Sequence, residues 1–185
     1  MRIFVIQVGN LERNILPFIK KGIENSFRRG KCIILEDVIQ LPKDAYNHSR
    51  QQYMSEPLLN EVLKYALRFE GNIGKQYTVL GVTEADIYAP GMNFIFGEAQ
   101  CPGKAAIISL FRLRPEFYGE KPNEKLFVER AIKEAVHEIG HTLGLRHCRN
   151  PLCVMYFSLH IYMTDRKRSE FCDRCLAKIK TLLNQ

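Results

Sequence analysis

The chain has 185 residues, 46% of them hydrophobic, and a formal net charge of +7. That is one domain with enough apolar mass for a core, which excludes global disorder. No run approaches the roughly 18 apolar residues of a membrane span, and the N-terminus carries no secretory signature, so the expected compartment is the cytosol, where disulfides seldom persist.

In chain order, residues 2–8 (RIFVIQV) read as a strand. Residues 11–29 fit an amphipathic helix with Ile15, Phe18, Ile19, Ile23 and Phe27 on one stripe, its start bent or delayed by Pro17. Residues 31–36 are a short buried strand, and 39–56 a loop without periodicity. A helix follows over 57–69, with Pro57 in its first turn and an end near Gly71 and Gly74. Strands are expected at 76–83, 93–98 and 104–112, with Ala89-Pro90-Gly91 as a turn and 113–122 as a loop. From Asn123, a plausible N-cap, a helix runs to Gly144, since Phe127, Ala131, Ala135 and Ile139 recur every four residues. A last helix spans 165–183, with Leu176, Ile179 and Leu183 on one stripe. This order predicts an α/β (α+β) fold: a mixed, twisted sheet packed with helices.

The segment HEIGHTLGLRH, residues 137–147, carries the chemistry. His137 and His141 are i and i+4 on a helix, so both imidazoles leave one face and can reach one tetrahedral Zn²⁺. Glu138 sits about 100° round the helix, beside the metal rather than on it, where it can accept a proton from water. HExxH alone arises in roughly one shuffled sequence in a hundred, so the spacing beyond it decides the matter. A straight helix could not bring His147 to the same ion. Gly144 permits a left-handed residue that ends the helix and swings His147 back.

This pattern, HExxHxxGxxH, resembles the signature of metzincin metallopeptidases. The resemblance implies a methionine turn beneath the zinc, and Met155 holds the matching position. It also marks a departure. Some metzincins have a tyrosine two residues after that methionine, where this chain has Phe157, so a tyrosine ligand or stabiliser is missing.

Cys148, Cys153, Cys172 and Cys175 form C-x4-C…C-x2-C. Four thiolates around one Zn²⁺ make a closed structural site with no position for substrate. The alternatives are two disulfides or four free thiols. Adjacent side chains in an extended segment point opposite ways, so His147 should face one metal and Cys148 another. The count expected is two Zn²⁺ per chain, one catalytic and one structural.

A third histidine running into this cysteine pattern resembles the archaemetzincins over residues 137–175. NHSRQQYMS (47–55), with Leu58 and Leu59, resembles a further stretch of that family, without an evident physical role. The resemblance implies a compact metzincin-like domain over 1–185. Residues 1–144 would form an N-terminal subdomain ending with the active-site helix, and 145–185 a C-terminal subdomain with the Cys₄ zinc site, Met-turn and last helix. It also implies a zinc-dependent metallopeptidase, often aminopeptidase-like, with peptide or protein substrates. Glu138 would be the general base, and a peptide could add to the 93–98 strand. A monomer is expected, with neither membrane nor nucleic-acid partner.

Two other readings compete. A non-catalytic zinc protein could bind peptides without cleaving them. A zinc-stabilised nucleic-acid binder would use the clusters Arg28-Arg29-Lys31 and Arg166-Lys167-Arg168, but it leaves the histidine spacing unexplained. Glu170 is a weaker candidate than His147 for the third ligand. His48 and His160 read as surface residues or as neighbours of the ligands, Asp165 and Lys167 as capping or flanking the last helix, Cys32 as a buried thiol and Cys101 as a loop thiol.

Overall fold

The computed structural model describes residues 1–27, 30–71 and 76–183. The elements up to the second helix are β1 (Arg2–Val8), α1 (Leu16–Ser26), β2 (Lys31–Ile39), β3 (Tyr46–Asn47), β4 (Gln52–Met54) and α2 (Ser55–Leu67). Then come β5 (Tyr77–Thr83), β6 (Ile87–Tyr88), β7 (Gly97–Ala99) and β8 (Ala105–Ser109), followed by α3 (Glu124–Thr142), α4 (Ile161–Arg166) and α5 (Asp173–Leu183).

The main sheet has the order β2-β1-β5-β8-β7. Its first four strands are parallel, and β7 runs antiparallel at the edge. Side chains alternate across it. Ile3 and Val5 of β1, Leu80 and Val82 of β5, and Ala106 and Ile108 of β8 face the core built with α1 and α3. Phe4, Ile6, Val79, Ala105 and Ile107 face the other way, onto α2. Both faces are covered, which is why β5 is buried at every residue and reads as one apolar run. The mixed sheet between helices is the architecture the residue pattern predicts.

Several boundaries differ from the sequence expectation. The first helix begins at Leu16 after a 3₁₀ turn over Arg13–Ile15, with Pro17 in its first turn, where a missing N–H costs nothing. Arg28, Arg29 and Gly74 lie outside the described residues. The supposed loop 39–56 contains β3 and β4, which pair antiparallel, while β4 joins β6 in parallel. Two- and three-residue strands are too short to show a period. The strand expected at 93–98 is regular only over Gly97–Ala99. Before it the chain changes partner, with Ile95 N–H donating to Ile87 and the Phe96 carbonyl accepting from Ser109. The last helix is two helices. Residues 167–172 between them run beside 152–154, with Arg168 N–H donating to the Leu152 carbonyl and Val154 N–H to that of Glu170.

Candidate metal centre

α3 positions the histidines, and both of its ends are fixed by local hydrogen bonds. At the start, Asn123 Oδ1 accepts from Leu126 N–H at 3.0 Å. At the end, Leu145 N–H reaches the Gly140 carbonyl (3.1 Å) and Gly144 N–H that of His141 (2.8 Å). These two bonds are a Schellman cap. Gly144 has φ +89°, the left-handed conformation expected for it. The cap reverses the chain, so His147 returns to the level of His137 and His141.

Three imidazoles converge. His141 Nε2 is 3.1 Å from His137 Nε2 and 3.2 Å from His147 Nε2. Zn²⁺ with bonds of about 2.0–2.1 Å in tetrahedral geometry sets its nitrogens roughly 3.3 Å apart, so the donor set fits that ion. The far nitrogens of two rings are occupied. His137 Nδ1 donates to the Val154 carbonyl and His141 Nδ1 to that of Leu145, each at 2.7 Å. This fixes the tautomer in which Nε2 offers a lone pair. Burial, aided by the nearby Lys167 charge, holds His137 well below the ordinary histidine range, and burial brings His147 down to about 4. All three rings are therefore neutral at pH 7, as metal ligation requires.

Met155 is fully buried beneath this group. A Cβ added at Gly140 would lie 2.4 Å from its sulfur, so the bare backbone of the HEIGH turn is what lets the methionine approach. The Phe157 ring lies 4.7 Å from that of His147, tilted by 40°, in the position where a tyrosine would have carried a hydroxyl.

Above the imidazoles an open cleft of about 460 Å³ separates residues 92–99 from Phe157 and Leu159. Glu138 lines it but is only 5% exposed. Burial, with the charges of Glu134 and Glu98, pushes its carboxyl well above the usual range, against the opposing pull of Lys167. Its seat depends on Gly97 of β7, since a Cβ there would come within 2.8 Å of Glu138 Oε1.

The cysteines form a separate group behind this one. Each of Cys148, Cys153, Cys172 and Cys175 offers a sulfur, all within 4.8 Å of one another. The Cys148 and Cys172 sulfurs are 3.8 Å apart, matching the roughly 3.8 Å between thiolates on a tetrahedral zinc with bonds near 2.3 Å. None of the four is joined in a disulfide. Burial pushes Cys153 and Cys175 up. At Cys172 burial acts the same way but is outweighed by hydrogen bonds from the Cys175 backbone and the neighbouring thiols, which hold it low. Cys148 N–H donates to the Met155 carbonyl at 2.8 Å, so one segment serves both groups. Cys32 is buried and Cys101 exposed. His48, His160 and Glu170 are exposed, and none belongs to either ligand group among the described residues.

One part of the site escaped the sequence reading. Asp165 lies in α4 and Lys167 caps its C-terminal end, eight and six residues before α5 begins, and both side chains reach into α3. Arg130, 1% exposed, donates to both Asp165 carboxylate oxygens at 2.7 Å and to the Leu113 carbonyl at 3.0 Å. Lys167, whose side chain is fully buried, pairs with Glu134 at 2.9 Å, and Thr164 donates to the same oxygen. Two ion pairs, one buried and one partly buried, thus strap α4 and the following link to the helix that carries the histidines. Lys167 also breaks the basic cluster 166–168, because its charge points inward. The available signal was spacing. Arg130, Glu134, Glu138 and His141 lie at four- and three-residue steps, extending the histidine face backwards, but charged residues so spaced ordinarily mark a solvated face.

The model of peptidase family M54 matches residues 10–181. The chain belongs to peptidase family M54. The archaemetzincin of Methanocaldococcus jannaschii is 47% identical over 180 residues, covering 97% of this chain and 93% of its own. The crystal structure of archaemetzincin from Methanopyrus kandleri superposes with a TM-score of 0.83 at 34% identity, covering 100% of this chain and 96% of its own. A zinc-dependent peptidase from Methanocorpusculum labreanum gives 0.86 at 27% identity, covering 96% of this chain and 99% of its own. As a member of the M54 family the chain is a zinc metallopeptidase of archaemetzincin fold. No helix among the described residues is long and apolar enough to cross a membrane.

Proposed function

We propose that His137, His141 and His147 hold a catalytic Zn²⁺, that Glu138 is the general base of peptide hydrolysis, and that Cys148, Cys153, Cys172 and Cys175 hold a structural Zn²⁺. The observation that carries this reading is the convergence of three Nε2 atoms on the floor of an open cleft, with two of the opposite ring nitrogens tied to carbonyls. When bound there, zinc would lower the pKa of a water ligand towards about 7 and polarise the peptide carbonyl. The residues do the rest. Glu138, buried at the cleft wall with a proton affinity raised by its surroundings, takes the proton of the attacking water and delivers it to the departing amine. Edge strand β7 has one ladder partner, β8, and its cleft side offers main-chain groups to an extended peptide. Met155 supports the imidazoles from below.

We read residues 1–144 and 145–185 as two subdomains of one catalytic domain meeting at this cleft. The sulfur group holds the second together, since it joins the segment after His147 to the start of α5, and the Arg130–Asp165 and Lys167–Glu134 pairs tie it to the first.

The deciding experiment is elemental analysis of the purified protein with staged chelation. Two zinc ions per chain are expected. The cleft ion should leave first and take peptide hydrolysis with it, and added zinc should restore both. Hydrolysis that survives removal of the first ion, or a single ion per chain held by sulfur alone, would overturn the assignment.

A further inference from the structure

The stretch NHSRQQYMS (47–55) contributes nothing to the metal chemistry, yet it grips the upper rim of the cleft. Arg50 donates through Nη2 to the carbonyls of Met92 (3.0 Å) and Asn93 (2.8 Å), with its guanidinium 4.2 Å from the Tyr88 ring centre. Its Nε donates to Gln52 Oε1 at 2.9 Å. That bond orients the Gln52 amide, whose Nε2 then donates at 3.0 Å both to the Asn93 carbonyl and to Asp86 Oδ2. Gln52 is 4% exposed. Between the two lies Gln51 at φ +55°, a left-handed conformation uncommon for a residue with a side chain. It turns the chain so that both neighbours reach the Asn93 carbonyl.

A second route runs from the same carboxylate. Asp86 accepts two bonds of 2.7 Å from Arg112. The Arg112 guanidinium is sandwiched between the rings of Phe94 and Phe117, at 4.5 and 4.7 Å. Phe94 lines the cleft, whereas Arg50, Gln52, Asp86 and Arg112 do not.

We propose that Arg50 and Gln52 are positioning residues for substrate: they set the path of residues 92–96, the wall along which the bound peptide lies. The inference rests on reading the cleft as the peptide site. Two consecutive rim carbonyls tied from behind cannot rotate towards the cleft, so the main-chain groups that follow keep one register for an extended ligand. Neither residue touches the reacting atoms, so their loss acts on the grip along the rim and not on the metal floor.

The test compares two hydroxamates on the zinc-loaded protein by titration calorimetry. Acetohydroxamate reaches only the metal; a peptidyl hydroxamate also lies along the rim. Arg50→Ala removes an exposed side chain, so the fold survives. It should weaken the peptidyl ligand about tenfold, leave acetohydroxamate within about twofold, and retain wild-type zinc content. Amide exchange should accelerate in residues 92–97 and not in α3. Equal affinity of the variant and the wild type for the peptidyl ligand would overturn the inference, as would an equal loss for both ligands. Failure of the wild type to bind either hydroxamate would instead remove the metal-site reading and this inference with it.

Discussion

Two donor sets meet at the peptide bond between His147 and Cys148, and they are built on opposite plans. The imidazole set stands on one turn of α3 and a single returning residue. Two of its rings are held from behind by the Val154 and Leu145 carbonyls, and it opens onto the cleft. The sulfur set draws on three separate places in the chain, and none of its cysteines lines the cleft. Under the proposed assignment, ligand type alone does not separate a reactive metal from an inert one. What separates them is whether a coordination position can meet solvent and substrate, and here that depends on which side of one extended segment each side chain leaves.

The largest effect should come from a change confined to the open side. Glu138→Gln keeps the volume of the side chain and removes the proton acceptor, so turnover of a peptide substrate should fall by roughly a hundred- to ten-thousandfold while elemental analysis still finds both ions. Unaltered turnover would take Glu138 out of the reaction.

Next is the strap between the two sets. Lys167→Met leaves the Glu134 carboxylate buried without its cation, and breaking such a pair costs about 3–5 kcal/mol. For a chain of this size that lowers the melting temperature by roughly 10 °C. Adding Glu134→Gln should recover part of the loss, and a melting point equal to that of the wild type would show that the pair is not needed.

Acid should strike the imidazole set in the metal-free protein. His147 titrates near 4 in the fold against 6.5 when unfolded, and His137 is also depressed. The unfolded chain therefore binds more protons below pH 6.5. Stability should be full above that value and decline as pH falls towards 4. Denaturant midpoints across this window measure it, and a flat profile would contradict buried neutral rings.

The smallest effect is expected from Gly144→Ala. The added methyl meets nothing closer than Pro102 at 3.7 Å, so only the left-handed backbone is strained, at about 1–2 kcal/mol. Zinc should bind more weakly at the imidazoles and unchanged at the sulfurs. Equal weakening at both would mean that the two sets are not separable.

How much could be read in advance follows from distance along the chain. The imidazoles span eleven residues, from 137 to 147, and helical geometry with one glycine decides where they point. Leu176 and Ile179 likewise mark α5 by period alone. The stripe could not say where that helix begins, because nothing in the sequence of residues 165–172 reveals that Lys167 turns inward. Strands β3 and β4 were invisible for a related reason: a strand of two or three residues is defined by its partner, not by alternation.

By itself the sequence determined the two candidate ligand groups, the turn that closes the histidine triad and the buried strands of the sheet, since all depend on local spacings or on runs of apolar side chains. Only the tertiary structure decided which charges are buried. Arg130 meets Asp165 across 35 residues and Lys167 meets Glu134 across 33. A charged side chain looks the same in a sequence whether water or a distant partner satisfies it, and the cost of burial is offset only where folding delivers that partner.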